Sequence, residues 1–200
     1  MRLLVIRHGE SEADLLNVHE GRADFELTET GKKQAKAMAH WVRQNYAIDK
    51  IYASTLKRAK QTAQFLAEEV KIDIIFEEDL MEFNNGLLAG LSREEAKVTY
   101  PKMDHLPMHR SVYEMESMLA FRYRAEVMLS KILSENSKED TIAIVSHGGT
   151  INQIACAFLS LPVDVKVRFS TGDTGIHCWN VTDSGRCILF SNKTDHLNGI

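Results

Sequence analysis

The chain has 200 residues, 44% of them hydrophobic and 26% charged, which fits one soluble α/β domain. Its formal net charge of -4 excludes an overall basic field for nucleic acid, so an anionic ligand needs a local positive pocket. No apolar run approaches the roughly 20 residues of a membrane span, and the opening run Met1-Arg2-Leu3-Leu4-Val5-Ile6 is too short for a secretory signal.

Residues 3–6 are continuously apolar, which predicts a strand buried on both faces. Arg7-His8-Gly9-Glu10-Ser11 follows directly. Thr28 is a candidate cap for a helix over roughly 29–45, where Ala35, Met38, Ala39 and Val42 recur at helical spacing. Residues 50–53 read as a second strand. Ser54-Thr55 then open a helix to about 70, with Ala59, Thr62, Ala63 and Leu66 facing inward. Residues 72–76 are a third β-like run.

Residues 79 to about 117 hold Pro101 and Pro107 and lack strong periodicity. They read as a small cap insert over the sheet, helical around 93–99. Ser117 caps a helix over about 117–135, with Met118, Phe121, Ala125, Met128, Leu129 and Ile132 as its apolar stripe. Residues 141–145 are a fourth strand, followed by Ser146-His147-Gly148-Gly149 and an apolar helix over 151–159. Residues 176–181 and 187–191 flank Asp183-Ser184-Gly185, a hairpin signal placed at a sheet edge. Strands alternating with helices predict a three-layer α/β sandwich, with a mainly parallel central sheet and helices on both faces, in a single domain over 1–200.

Cys156, Cys178 and Cys187 form no Cys-x-x-Cys pair. The odd count reads as free thiols in a reducing cytoplasm, each packing as a small hydrophobe.

Residues 3–9 and 142–149 share one plan: apolar strand, polar residue, His, Gly. Open α/β sheets bind ligands at the carboxyl ends of their strands, where both histidines fall. The glycines let the backbone approach a ligand closely. A third strand end delivers Ser54 to Arg58 into a helix start, and helix N-termini attract anions. Arg7, His8, Arg58 and His147 are therefore expected at one rim. A lone histidine is usually structural and a lone arginine usually solvated, so the doubled His-Gly strand end carries the weight. Metal ligation is the minor reading. There is no His-Glu-x-x-His, Pro107 interrupts the pair His105 and His109, and two arginines at the rim repel a cation.

Five ordered motifs carry a family likeness. They are Arg7-His8-Gly9-Glu10-Ser11, then Asp24 to Gly31, then Ser54-Thr55-Leu56-Lys57-Arg58-Ala59-Lys60-Gln61-Thr62-Ala63, then Leu80-Met81-Glu82 with Gly86 and Gly90, and last Ser146-His147-Gly148-Gly149. With them the chain resembles the histidine phosphatase superfamily, also called the phosphoglycerate mutase-like family. The resemblance implies that His8 attacks phosphorus through one ring nitrogen while the other donates to a carbonyl, giving a phosphohistidine. It implies that Arg7, Arg58 and His147 hold the phosphoryl oxygens, so that no metal or other cofactor is needed. Glu82 would protonate the leaving oxygen and then activate water. Ser11, Asn17, Phe83, Asn84 and Gly148 are expected at the substrate, with Phe83, Asn84, Asn85, Leu87 and Leu88 among the pocket walls.

Two positions depart from the family pattern. Asp14 stands where Asn is frequent; an ionised Asp repels phosphate, so it is expected to point away or meet a cation. Met115-Glu116-Ser117 stands where Gly-Glu-Ser is frequent, which leaves the role of Glu116 open. The family's cofactor-dependent mutases follow the acid with Arg-His-Tyr-Gly, whereas here Glu82 is followed by Phe83-Asn84-Asn85-Gly86. The resemblance therefore implies a hydrolase of a small phosphorylated metabolite, with no nucleic-acid or membrane partner. A phosphoglycerate mutase and a catalytically silent phospho-ligand binder are the alternatives. The oligomeric state stays open, a homodimer being one option.

Overall fold

Strand β1 (Arg2–Arg7) sits inside the sheet, and its side chains alternate between two cores. Leu3 and Val5 face one layer, Leu4 and Ile6 the other. That is why the run is apolar without interruption. The structure is a computed structural model describing residues 1–199. The other strands are β2 (Lys50–Ser54), β3 (Ile74–Glu77), β4 (Thr141–Ser146), β5 (Ile176–Thr182) and β6 (Gly185–Lys193). They form a 6-stranded sheet in the order β3-β2-β4-β1-β5-β6. β3, β2, β4 and β1 pair in parallel; β5 and β6 add an antiparallel edge.

Helices α2 (Glu29–Asn45) and α3 (Lys57–Val70) cover one face through Met38, Ala39, Val42, Ala59, Ala63 and Leu66. Helices α5 (Met118–Glu135) and α6 (Gly148–Phe158) cover the other through Met128, Ile132, Ile151, Ile154 and Phe158. The expected three-layer sandwich is thus what forms. Between β3 and α5 the chain makes short 3-10 turns and helix α4 (Arg93–Thr99), capped by Ser92.

Several boundaries move for identifiable reasons. α3 begins at Lys57 rather than at Ser54, because Ser54 ends β2 and its hydroxyl accepts from the Leu56 N–H at 3.3 Å. α6 begins at Gly148 rather than at Ile151, with extended His147 as its first flanking residue. A short helix, α1 (Glu12–Leu16), is absent from the sequence reading. It is too brief to show a period and is held by its cap, where Asp14 Oδ2 accepts from the Ser11 N–H at 2.9 Å. Asp14 is thus engaged in capping its own helix and forms no ion pair among the described residues. Cys156 and Cys178 are buried as expected, but Cys187 is exposed, because β6 is the sheet edge. No helix among the described residues is long and apolar enough to cross a membrane.

The parallel register sets up the chemistry. Arg7 of β1 lies opposite Ser146 of β4, and Ala53 of β2 opposite Val145. The residues that follow, His8, His147 and Ser54, leave the sheet side by side. On the far side of β1, His177 of β5 supports the loop behind Arg7: its Nδ1 accepts from the Asn192 N–H at 3.3 Å, and its Nε2 pairs with Thr171 Oγ1 at 2.7 Å.

Burial lowers the His177 pKa from 6.5 to about 4, because the imidazolium would lose water and turn a proton toward the Asn192 N–H. The unfolded chain then binds the extra proton, so this contribution is complete above the unfolded value and lost as pH falls. Wild type should lose on the order of 3 kcal/mol more than His177→Gln between pH 6.5 and 4. Urea unfolding across that range checks it; equal slopes for both proteins would remove His177 from the account.

Candidate active site

His8 is buried, and its Nδ1 lies 2.7 Å from the Gly9 carbonyl. A carbonyl can only accept, so Nδ1 carries the proton and Nε2 is left unprotonated, with its lone pair toward Arg58 Nε. Burial, then the charges of Arg58 and Arg7, hold the His8 pKa well below the usual value of 6.5. His8 is therefore a neutral imidazole held in one orientation, as a nitrogen nucleophile requires. The loop carrying it is pinned from both sides. The Gly9 N–H donates to Thr62 Oγ1 on α3 at 3.2 Å, and the Glu10 N–H to Gln34 Oε1 on α2 at 2.8 Å. Gly9 must be glycine here, since a Cβ would come within 2.6 Å of the Gly31 carbonyl oxygen.

The cations expected at one rim meet there. Arg58, wholly buried on α3, donates to the carbonyls of Gly21 at 2.8 Å and Ala23 at 2.9 Å, and from Nε to His8 Nε2 at 3.3 Å. The rings of His147 and His8 are 5.0 Å apart. His147 Nε2 pairs with Ser54 Oγ at 2.8 Å, while its buried Nδ1 has no partner in the protein. Burial and Arg58 also hold His147 well below 6.5. Arg7 donates from Nη1 to the Thr171 carbonyl at 3.0 Å and lies 3.3 Å from Asp173, yet its buried Nε is likewise unpartnered.

Glu82 reaches the start of α6. Its Oε2 accepts from the Gly149 N–H at 2.8 Å and its Oε1 from the Phe83 N–H at 2.7 Å. The carboxylate lies so close that a Cβ on Gly149 would come within 2.5 Å of Oε1. The loop bearing Glu82 lies outside helices and strands, so side chains satisfy its carbonyls. Ser146 Oγ donates to Leu80 and Thr150 Oγ1 to Met81. Arg124 Nη1 donates to Asp79 and Met81, and Nη2 to Glu82. Arg124 is paired in turn with Glu116 at 2.8 Å, whose Oε1 accepts from the Asn84 N–H. That is the structural role of Glu116.

The remaining expected contacts are spread more widely. Phe83 and Asn17 border the cleft, though Asn17 Oδ1 accepts from Arg93 Nε at 3.0 Å. Ser11 is buried beside the site but donates to Glu20 and Asp14. The Asn84 side chain accepts from the Gly86 N–H at 3.0 Å and so closes a turn. Gly148 opens α6 beside Arg7 Nε, where a Cβ would stand 3.9 Å away. Three polar residues were not legible as site residues: Glu20 at 3.1 Å from Arg58, Asp173 on Arg7, and Arg124. Among the described residues no three His, Cys, Asp or Glu side chains converge as metal ligands.

Residues 3–194 match the histidine phosphatase superfamily (branch 1). The chain belongs to that superfamily. It is 28% identical over 201 residues to phosphoserine phosphatase 1 of Hydrogenobacter thermophilus, covering 98% of this chain and 94% of that protein. It is 33% identical over 175 residues to a probable phosphoglycerate mutase of Photorhabdus laumondii, covering 84% and 79% respectively. Among solved structures, the phosphoserine phosphatase of Entamoeba histolytica in complex with 3-phosphoglyceric acid superposes with a TM-score of 0.80 at 29% identity, over 98% of both chains.

In this superfamily member the Arg124–Glu116 pair is nearly buried, at 9% and 11% exposure. Arg124→Ala leaves the nearly buried Glu116 carboxylate without its cation and the Asp79 carbonyl without its guanidinium donor, so it should cost about 3–5 kcal/mol in urea unfolding. A loss below about 1 kcal/mol would show that solvent replaces the guanidinium.

Proposed function

We propose that the protein is a metal-independent phosphomonoester hydrolase that acts through a phosphohistidine at His8. One observation carries the reading: His8 Nε2 directs its lone pair among Arg58, Arg7 and His147, where Arg7 Nε and His147 Nδ1 are buried without a partner in the protein, and with Ser54 Oγ donating to His147 Nε2 that Nδ1 is a donor. Phosphoryl oxygens are the acceptors that such donors fit.

In the first step Nε2 attacks phosphorus, the N–P bond forms, and the P–O bond to the alcohol breaks. Glu82 gives its proton to the leaving oxygen. In the second step Glu82 takes a proton from water, the water oxygen bonds to phosphorus, and the N–P bond breaks. Alcohol and inorganic phosphate are the products. Arg7, Arg58 and His147 bind the transferring group throughout.

The cleft encloses about 350 Å³, which suits a small phosphorylated metabolite. We assign segment 79–117 as the cap of a single domain. Beside His19 and Arg93, which also border the cleft, it encloses a mostly apolar cavity of about 400 Å³, suited to an organic leaving group. Phe83-Asn84-Asn85 supplies no cation for a phosphoglycerate carboxylate, which favours hydrolysis over the mutase reaction. The free thiols favour a cytoplasmic enzyme.

Hydrolysis of p-nitrophenyl phosphate in EDTA should be abolished in His8→Ala and lowered about 10²–10³-fold in Arg58→Ala. Interconversion of 2- and 3-phosphoglycerate with a bisphosphate primer, without hydrolysis, would establish the mutase instead. Tight phosphate binding with no turnover would establish a silent binder.

A further inference from the structure

Glu20 lies in the loop between α1 and α2, close against the nucleophile. Its Oε1 accepts from Ser11 Oγ at 2.5 Å and stands 3.1 Å from Arg58 Nε. Its Oε2 stands 3.8 Å from His8 Nε2. Since His8 is neutral, that last contact is no ion pair. It is a carboxylate oxygen standing near the lone pair that must reach phosphorus. A phosphoryl group in position for attack puts phosphorus about 3–3.5 Å from the nucleophile, with its oxygens on the neighbouring cations. Glu20 already holds one of those cations and borders the same space. A carboxylate and a phosphoryl group cannot share it as two anions.

The surroundings sharpen the conflict. Arg7 and His8 face Glu20 from the end of β1 and Arg58 from α3. Asp14 faces it from α1. Glu82, His19 and Arg93 complete the wall of the cleft. Asp173 already pairs with Arg7. With Glu20 ionised, each arginine at the nucleophile has a carboxylate beside it.

We propose that Glu20 is a built-in competitor for the phosphoryl site. Ionised, it occupies the anion position on Arg58 beside His8 Nε2; as the neutral acid, it yields that position and donates a hydrogen bond to a phosphoryl oxygen. Phosphate binding is then coupled to uptake of a proton by Glu20. Burial raises the Glu20 pKa, Arg58 and Ser11 oppose the rise, and Asp14 adds to it, so the neutral acid is within easier reach than for a surface glutamate.

The inference rests on the phosphatase reading, and the experiment separates the two. Inorganic phosphate is titrated calorimetrically into wild type and Glu20→Gln from mildly acidic to mildly alkaline pH. The titration of phosphate itself is common to both proteins and cancels in the comparison. Above the Glu20 titration the wild-type Kd should worsen, relative to the variant, by about tenfold per pH unit. Buffers of different ionisation enthalpy should show extra proton uptake in wild type alone. The wild-type KM for p-nitrophenyl phosphate should rise with pH relative to the variant, with kcat moving less. Glu20→Ala, checked for folding by thermal unfolding, should share the flattened Kd profile. Parallel pH profiles, or weaker binding in both variants at every pH, overturn the proposal. If turnover is lost in His8→Ala while those profiles stay parallel, the phosphatase stands and the competitor falls. No turnover and no phosphate binding in any variant overturns both.

Discussion

The buried guanidinium of Arg58 is the charge around which the site is arranged. Removing such a group from water costs several kcal/mol unless its donors are met. Here the carbonyls of Gly21 and Ala23 and the carboxylate of Glu20 meet them. The loop between α1 and α2 is thereby drawn over the strand ends. Burial first, and this charge second, hold both histidines neutral, so a cation packed against His8 also helps keep its ring unprotonated.

Glu82 faces a different constraint. In the proposed reaction it both gives and takes a proton and so needs a fixed position, yet it sits on a loop. The solution is to satisfy that loop's carbonyls from rigid elements: Ser146 at the end of β4, Thr150 in the first turn of α6, and Arg124 on α5. The N-terminus of α6 receives the carboxylate itself, where the helix dipole favours an anion. Sheet, helix and loop are thus tied together around the Glu82 carboxylate.

The cleft carries more acid than a phosphate site needs. Asp173 beside Arg7 and Glu20 beside Arg58 stabilise two partly or fully buried cations in the free protein. On the proposed reading, a dianionic substrate competes with both. Burial raises both carboxyl pKa values against the pull of their arginines.

The uninterrupted apolar run of β1, the His-Gly step after β1 and β4, and the spacing through Arg58, Gln61 and Thr62 were readable because they are local. Periodicity assigns faces, and a strand end assigns the rim of a parallel sheet. So the sandwich, the meeting of Arg7, His8, Arg58 and His147, and even the Thr28 and Ser117 caps follow from the sequence. The bond from Arg58 to Ala23 spans 35 residues, and that from Arg124 to Glu82 spans 42. No period records which loop carboxylate or distant arginine closes such a gap. Glu20 and Arg124 stand outside every motif and periodic face of the sequence, and Asp14 stands there only as a charge expected to avoid phosphate. Only the packed structure decides them, because a charge left without water takes whichever partner the chain's long-range folding brings within reach.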